Sequence, residues 1–405
     1  MQSKSATYNT ILADENHFFE VKLNINGTDY GQDVIYGAKS DCKVFDTAPT
    51  IGGTYSGTLE FSLLGDGSAI PKMASVKPYF RAVLGATTSE WIQKGEFFID
   101  TRSVSHNDNG LTVFSAHCFD AMLKANANYA TSSLAWPATD TAVVAEIASK
   151  MGVSQDSRNS AILTGGYSIP LPTEYTMRDV LSFIAAMYAA NWIITDEGKL
   201  RIVPIAGGAD TLAVGKSCAN LDISTSRSAY TKVIYEIDDE TVVESGSTDT
   251  NVMEVYNPFG TQTEADAVYT ILSAWSYKPF DASGVWSDPC VEVGDQITAV
   301  GESGTIYSRS ITFGPGMVME LSAPNDNYVD HEYAYESPEE RRYTRTVNGL
   351  SSSISLNASG VQIVSQKLDN FGGRNILLNS AKAQWEAING ATVNFTTGVS
   401  VTAWG

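Results

Sequence analysis

The sequence predicts a mainly β protein interrupted by one small α+β insert. Three observations predict it. Apolar and polar residues alternate with a period of two through much of the first 121 residues, apolar residues fall at helical spacing mainly between about 140 and 188, and alternation returns after residue 206. The chain has 405 residues, where a domain usually takes ~150, so two or three domains are expected.

From His17 to Asn26, Phe19, Val21, Leu23 and Ile25 alternate with Glu20, Lys22, Asn24 and Asn26. Asn26-Gly27 then supplies a hairpin turn. Leu59 to Leu63 (closed by Gly65-Asp66-Gly67), Tyr79 to Leu84, Trp91 to Ile99, and Leu111 to Ala116 after Asn107-Asp108-Asn109-Gly110 read as further strands. Residues 1–121 are therefore expected to be a β domain without a helix.

The period then changes. Asp140 precedes Val143, Val144, Ile147, Ala148 and Met151 at helical spacing, and Gly152 stands where a glycine ends a helix. A second helix starts at Thr176, with Asp179 three residues on, and carries Val180, Leu181, Ile184, Ala185 and Tyr188 on one face. A hairpin from Trp192 to Val203, turning at Asp196-Glu197-Gly198, completes an α/β insert over 122–205.

After Ala206-Gly207-Gly208, Tyr230 to Ile237 is expected to pair with Thr241 to Glu244. One helix follows, starting at Thr263 and carrying Val268, Ile271, Leu272 and Trp275. Strands Gln296 to Val300, Thr305 to Phe313 and Met317 to Leu321, the last two joined by Gly314-Pro315-Gly316, close a second β domain over 206–335.

Residues 336–371 open with the charged stretch Ser337 to Arg345. Val347, Leu350, Ile354, Asn357, Val361, Val364 and Leu368 then follow at steps of three and four. The apolar members, Val347, Leu350, Ile354, Val361, Val364 and Leu368, are a candidate seam of a trimeric stalk. Gly349, Gly360 and Ser351-Ser352-Ser353 form helices poorly, so linker, strand and stalk all stay open. Residues 372–405 are too few for an independent core and read as the start of a β module, in which Trp385 and Trp404 are candidates for stacking on a sugar ring.

Composition narrows the function classes. Lys and Arg number 26 and Asp and Glu 46, a formal charge of −20, which has the wrong sign for stable capture of a nucleic-acid backbone or an anionic membrane. Met1 to Asn16 has no basic start followed by an apolar stretch, so no secretory signal is expected. The apolar run Val180 to Ile194, broken by Ser182 and Asn191, is too short to span a bilayer. Cys42, Cys118, Cys218 and Cys290 lie far apart without metal-ligand spacing and are expected to be small buried hydrophobes.

No motif carries chemistry. His117 and Cys118 are neighbours, but on a strand they point to opposite faces and cannot share a proton. His17, His106 and His331 have no recognisable partner. Glu236-Ile237-Asp238-Asp239-Glu240 reads as a solvated hairpin tip, and Asn325-Asp326-Asn327 with Asp330 lacks the glycine and distal Glu of a calcium loop. No catalytic residue, cofactor or metal ligand is expected.

The order of the pieces is more telling than any one of them. Trp91-Ile92-Gln93-Lys94-Gly95-Glu96-Phe97-Phe98-Ile99-Asp100, then Leu111 to Ala116 with Asp120 and Met122, resembles the first barrel of the baseplate hub proteins of long-tailed phages, the prophage endopeptidase-like tail proteins. Thr176-Met177-Arg178-Asp179-Val180-Leu181, running to Asp196-Glu197-Gly198-Lys199-Leu200-Arg201-Ile202, is similar to that family's inserted helix and hairpin. Val293-Gly294-Asp295-Gln296-Ile297 with the hairpin to Leu321 is similar to the end of its second barrel.

The resemblance implies two tail-tube-like β-barrel domains in a homotrimer that closes the distal tail tube at the virion tail tip and opens for DNA passage. It implies the distal tail protein, tail tube and tape measure proteins as partners. Asn375-Ile376-Leu377-Leu378-Asn379-Ser380 is similar to the start of the carbohydrate-binding modules that follow many hubs, which implies a host surface glycan. Two alternatives stay open: a tail-associated enzyme degrading cell wall or polysaccharide, and a glycan-binding adhesin.

Overall fold

The computed structural model describes residues 1–106, 110–129, 131–207, 211–213, 218–224, 229–238, 241–248, 251–299, 302–324, 392–394 and 400–402. The chain divides into two units, one of residues 1–235 and 243–330, the other of residues 236–242 and 331–405.

A helix opens the chain where none was expected. In α1 (Ala6–Leu12) the Ser5 hydroxyl accepts the Tyr8 N–H at 3.0 Å, and Tyr8 and Ile11 are buried. Two inward residues in a seven-residue helix are too few to register as a period.

The first β region follows. β1 (Phe18–Ile25) turns through Asn26 and Gly27, with φ of 49° and 91°, into β2 (Thr28–Gly31), as Asn-Gly predicts. Next come β3 (Ile35–Lys43), β4 (Thr58–Leu64), β5 (Ser75–Leu84), β6 (Thr87–Thr88), β7 (Ile92–Gln93), β8 (Phe97–His106) and β9 (Thr112–Asp120). The single strand expected from Trp91 to Ile99 is broken into β7 and β8. Gly95 breaks it: its φ is 114°, and a Cβ there would lie 2.3 Å from the Phe97 ring.

After a 3-10 turn at Ala121–Asn126 the insert contains β10 (Ala138–Thr139), α2 (Asp140–Met151), α3 (Asn159–Ile162), β11 (Ser168–Ile169), α4 (Met177–Ala186), β12 (Ala190–Ile194) and β13 (Leu200–Pro204). α2 ends at Gly152, φ 69°. Thr176 and Asp179 bond reciprocally at the start of α4, the Asp179 N–H to Thr176 Oγ1 at 3.1 Å and the Thr176 N–H to the Asp179 carboxylate at 2.9 Å. A hydrophobic cluster of its own runs from Ala121 to Ile202, around the fully buried Trp192, whose Nε1–H donates to the Leu181 carbonyl at 2.7 Å.

The remaining strands are β14 (Thr211–Ala213), β15 (Cys218–Ile223), β16 (Lys232–Glu236), β17 (Val242–Gly246), β18 (Val252–Tyr256), β19 (Phe280–Val285), β20 (Gln296–Ala299), β21 (Glu302–Thr305), β22 (Ser308–Thr312), β23 (Val318–Ala323), β24 (Thr392–Asn394) and β25 (Ser400–Thr402). β16 and β17 are neighbours, as expected. α5 (Gln262–Ser273) is capped by Thr261 and Glu264 rather than starting at Thr263. Val268 and Leu272 are buried, whereas Ile271 is exposed. The strand expected from Thr305 to Phe313 is two: β21 pairs with β20, and β22 begins beyond the buried Ile306 and Tyr307.

Among the described residues thirteen strands form one sheet, in the order β15-β19-β23-β22-β3-β4-β9-β8-β5-β1-β2, with β6 and β7 beside β5. The two β regions, far apart in sequence, meet where β22 pairs antiparallel with β3, from Ser308 opposite Lys43 to Thr312 opposite Lys39. A hydrophobic cluster spanning Tyr8 to Ala323 covers the sheet's inner face, so both regions share one core. Among the described residues no helix is long and apolar enough to cross a membrane.

Candidate functional site

Alternation gives the eight-strand run from β15 to β8 one apolar and one polar face. On the polar face residues line up across strands. One row is Val318, Thr312, Lys39, Glu60, His117 and Thr101; a second is Glu320, Ser310, Asp41 and Thr58; a third joins Ser308, Ser322, Asp281 and Asp222. Ser62 and Ser115 hydrogen-bond across the strands at 2.8 Å. Lys39, Glu60, Ser62, Thr101, Ser103, Ser115, His117 and Thr312 line a concavity of about 760 Å³.

This face is acidic. Asp222, Asp281, Glu320, Asp41 and Glu60 stand against Lys39 and Lys43, and Lys39 reaches Glu320 and Asp41 only at 3.7 and 3.9 Å. Asp222 and Asp281 are directly opposite each other, a cross-strand arrangement that like charges disfavour. Partial burial, then the negative charges of Asp222 and Glu320, push the Asp281 carboxyl up.

The run ends in two open edges. Among the described residues β15 has a strand partner on one side, β19. β8 touches β5 only where Phe97 and Phe98 pair with Val76 and Ser75; from Thr101 to His106 it has β9 on one side and, among the described residues, no backbone partner on the other. Asp100 to His106 are exposed, with no lysine or proline to blunt the edge.

Beneath the sheet a charge cluster ties the insert to both β regions. The Asp196 carboxylate, at the insert's hairpin turn, accepts both terminal nitrogens of Arg309 from β22, at 2.7 Å each, and the Nζ of Lys94 from the β7–β8 connection. Arg309 also donates to the Val291 carbonyl at 2.6 Å. Lys94 is 0% exposed, Arg309 3% and Asp196 7%. Burial alone would push the Asp196 carboxyl up, but the charges of Arg309 and Lys94 outweigh it and hold the group well below the carboxylate range.

A second group repeats the arrangement. Buried Glu292 meets Arg158 at 2.9 Å and Arg201 of β13 at 3.6 Å, while Arg158 also holds Asp156 at 2.8 Å. A third lies under α1, where Lys4 and the Tyr8 hydroxyl both reach Asp288.

The sequence reading missed these residues, placing Asp196 as a turn residue only. The available signal was Arg309, a charge sharing strand parity with the apolar Ile311. His117 and Cys118 do face opposite ways on β9: Cys118 is buried, with its thiol pushed up to about 12 by burial, and His117 is half-buried beside Phe119. Cys290 is also buried, but Cys42 and Cys218 are partly exposed, so the expectation that all four are buried holds for two. His106 bonds the Thr112 hydroxyl at 3.0 Å and His17 the Asp14 carbonyl.

Val347, Leu350, Ile354, Val361, Val364, Leu368, Trp385 and Trp404 lie outside the described residues, as do His331, Asp239, Glu240 and the Asn325 to Asp330 stretch. Among the described residues no three metal-ligating side chains converge.

No protein-family model matches the chain, and no curated protein does. Solved structures do. The 43 kDa tail protein of prophage MuSo2 from Shewanella oneidensis aligns with a TM-score of 0.50 at 12% identity, covering 75% of this chain and 97% of that one. A tail protein from Neisseria meningitidis MC58 aligns at 0.49 and 10% identity (76% and 97% covered), and prophage tail protein gp18 from Listeria monocytogenes EGD-e at 0.44 and 12% (76% and 95%). The mainly β architecture with its α+β insert is thus the fold of the MuSo2 prophage tail protein.

Proposed function

We propose that the chain is a structural hub of a phage tail tip, three copies of which join head to tail into a ring that closes the distal tail tube and opens for DNA passage. The observation that supports it is the pair of open edges at the two ends of one eight-strand run, β15 with six residues and β8 with six, Thr101 to His106. An edge left unpaired invites a strand from another chain, and a head-to-tail contact that closes leaves no edge. Joining β15 of one copy to β8 of the next continues the sheet and gathers the acidic polar faces on one side. As the lumen lining they repel duplex DNA over roughly a Debye length, ~8 Å at physiological salt, rather than holding it.

On this reading residues 1–121 and 206–335 are the two tube-like barrel domains and 122–205 the insert that the buried charges lock between them. Residues 336–371 form the stalk with Val347, Leu350, Ile354, Val361, Val364 and Leu368 as its seam, and 372–405 open a module whose Trp385 and Trp404 contact a host glycan. The distal tail protein, tail tube and tape measure proteins are the other partners.

Paired cysteines test the contact. Asn220→Cys combined in turn with Ser103→Cys and Ser105→Cys is expected to give disulfide-linked trimers on oxidation of assembled tails. Trimers absent from both combinations, with wild-type assembly, would contradict it.

A further inference from the structure

Where the end of β9, the inner face of β3 and the insert's hairpin turn converge, Ser40, Cys42, Asp120, Asp196 and Arg309 line a cavity of about 10 Å³. Two of these lining residues each carry a polar atom without a hydrogen-bond partner, Ser40 Oγ and Arg309 Nε, on side chains only 2% and 3% exposed. They belong to one face of the sheet, since Arg309 sits opposite Cys42, two residues along β3 from Ser40. Orphaned buried polar groups are rare because each forfeits its bonds to water, and two around one cavity have a common remedy.

We propose that this cavity is a binding site for a single water molecule, which accepts the Arg309 Nε–H and donates to Ser40 Oγ and to the Asp120 carboxyl. The donors and acceptors select the ligand. Arg309 Nε offers only a proton, so a metal cation finds a repelling group there, and the Asp120 and Asp196 carboxyls disfavour an anion. A water needs ~10–15 Å³, so the site takes one and nothing larger. Asp120 already accepts the Gly57 N–H at 2.6 Å and the Met122 N–H at 2.9 Å, and a buried carboxyl with two oxygens has room for a third donor. The water would complete the joint between the two β regions and the insert, where Asp196 and Arg309 already meet and Asp120 lines the same cavity.

Ser40→Ala separates the wet site from a dry one by sign. If the water is there, the variant strips it of an acceptor and lowers Tm by on the order of 1–3 °C. If the site is dry, the variant removes an unpaired hydroxyl and Tm stays or rises, which would overturn the proposal. Should the variant not fold, a crystal structure of the unsubstituted chain at about 1.5 Å decides. A solvent peak within hydrogen-bond distance of both Ser40 Oγ and Arg309 Nε supports the site; no peak, with the Ser40 hydroxyl turned onto a backbone carbonyl, refutes it.

Discussion

Arg309 and Asp196 meet in a two-point pair, each bond 2.7 Å long, although 113 residues separate them in the chain. One is on a central strand of the shared sheet and the other at the tip of the insert's hairpin, so the pair fixes where the insert sits. Lys94 adds a second cation to the same carboxylate. Replacing Asp196 by Ala leaves two buried cations unpaired and is expected to cost ~3–5 kcal/mol, read from chemical denaturation. Asp196→Leu combined with Arg309→Met and Lys94→Met should cost less than Asp196→Ala alone, since no charge is left stranded; a triple variant worse than the single one would show that the charges contribute more than their mutual compensation.

Asp120 predicts an unusual pH dependence. Burial pushes its carboxyl up to about 7, although the Gly57 and Met122 amides oppose the shift. The unfolded value is ~3.9, so the folded state holds this proton more tightly. Its contribution to stability is complete below pH ~4 and is lost as pH rises through 7, at most ~1.4 kcal/mol per pH unit. Asp156 works in the opposite sense: burial raises it, but the Arg158 hydrogen bonds win and hold it at about 2, so its contribution is lost only as pH falls from ~4 toward 2. Urea midpoints of the native chain should therefore fall between pH 4.5 and 7, and Asp120→Asn should flatten that fall. Identical profiles for the two proteins would refute the assignment.

The proposed stalk predicts that charge at the seam weakens assembly. Ile354→Asp with Val361→Asp would bring like charges together around a three-fold axis. The expected outcome is loss of trimer on dilution, followed by sedimentation; unchanged trimer stability would make 336–371 a tether.

The acidic polar face predicts no stable grip on DNA. A mobility-shift titration with duplex DNA near 150 mM salt is expected to show no complex at micromolar protein. A shift would mean that basic surfaces dominate contact with the genome, and would leave the −20 charge as a solubility trait.

What the sequence disclosed follows from periodicity. β1 and β4 alternate cleanly, α2 ends at Gly152 and α4 starts on Thr176 and Asp179, and those elements stand where the pattern puts them, although the cap of α2 is Thr139 and the expected lead residue Asp140 is already helical. Gly95 and the buried pair Ile306 and Tyr307 broke strands that looked continuous, because apolar residues persist through a bend that still faces the core. The pairing of β22 with β3 was invisible, since local pattern says nothing about which strands meet across more than 250 residues. The buried charges escaped for the same reason: Asp196 looks like any turn aspartate until Arg309 and Lys94 are brought to it.

A cryo-electron microscopy reconstruction of the assembled tail tip would show the head-to-tail ring itself. The expected map has three copies of this chain around the axis, β15 of each lying beside Thr101 to His106 of the next, with Asp41, Glu60, Asp281 and Glu320 facing the channel. A tip in which β15 and β8 face solvent, or in which the apolar sheet face lines the channel, would contradict it.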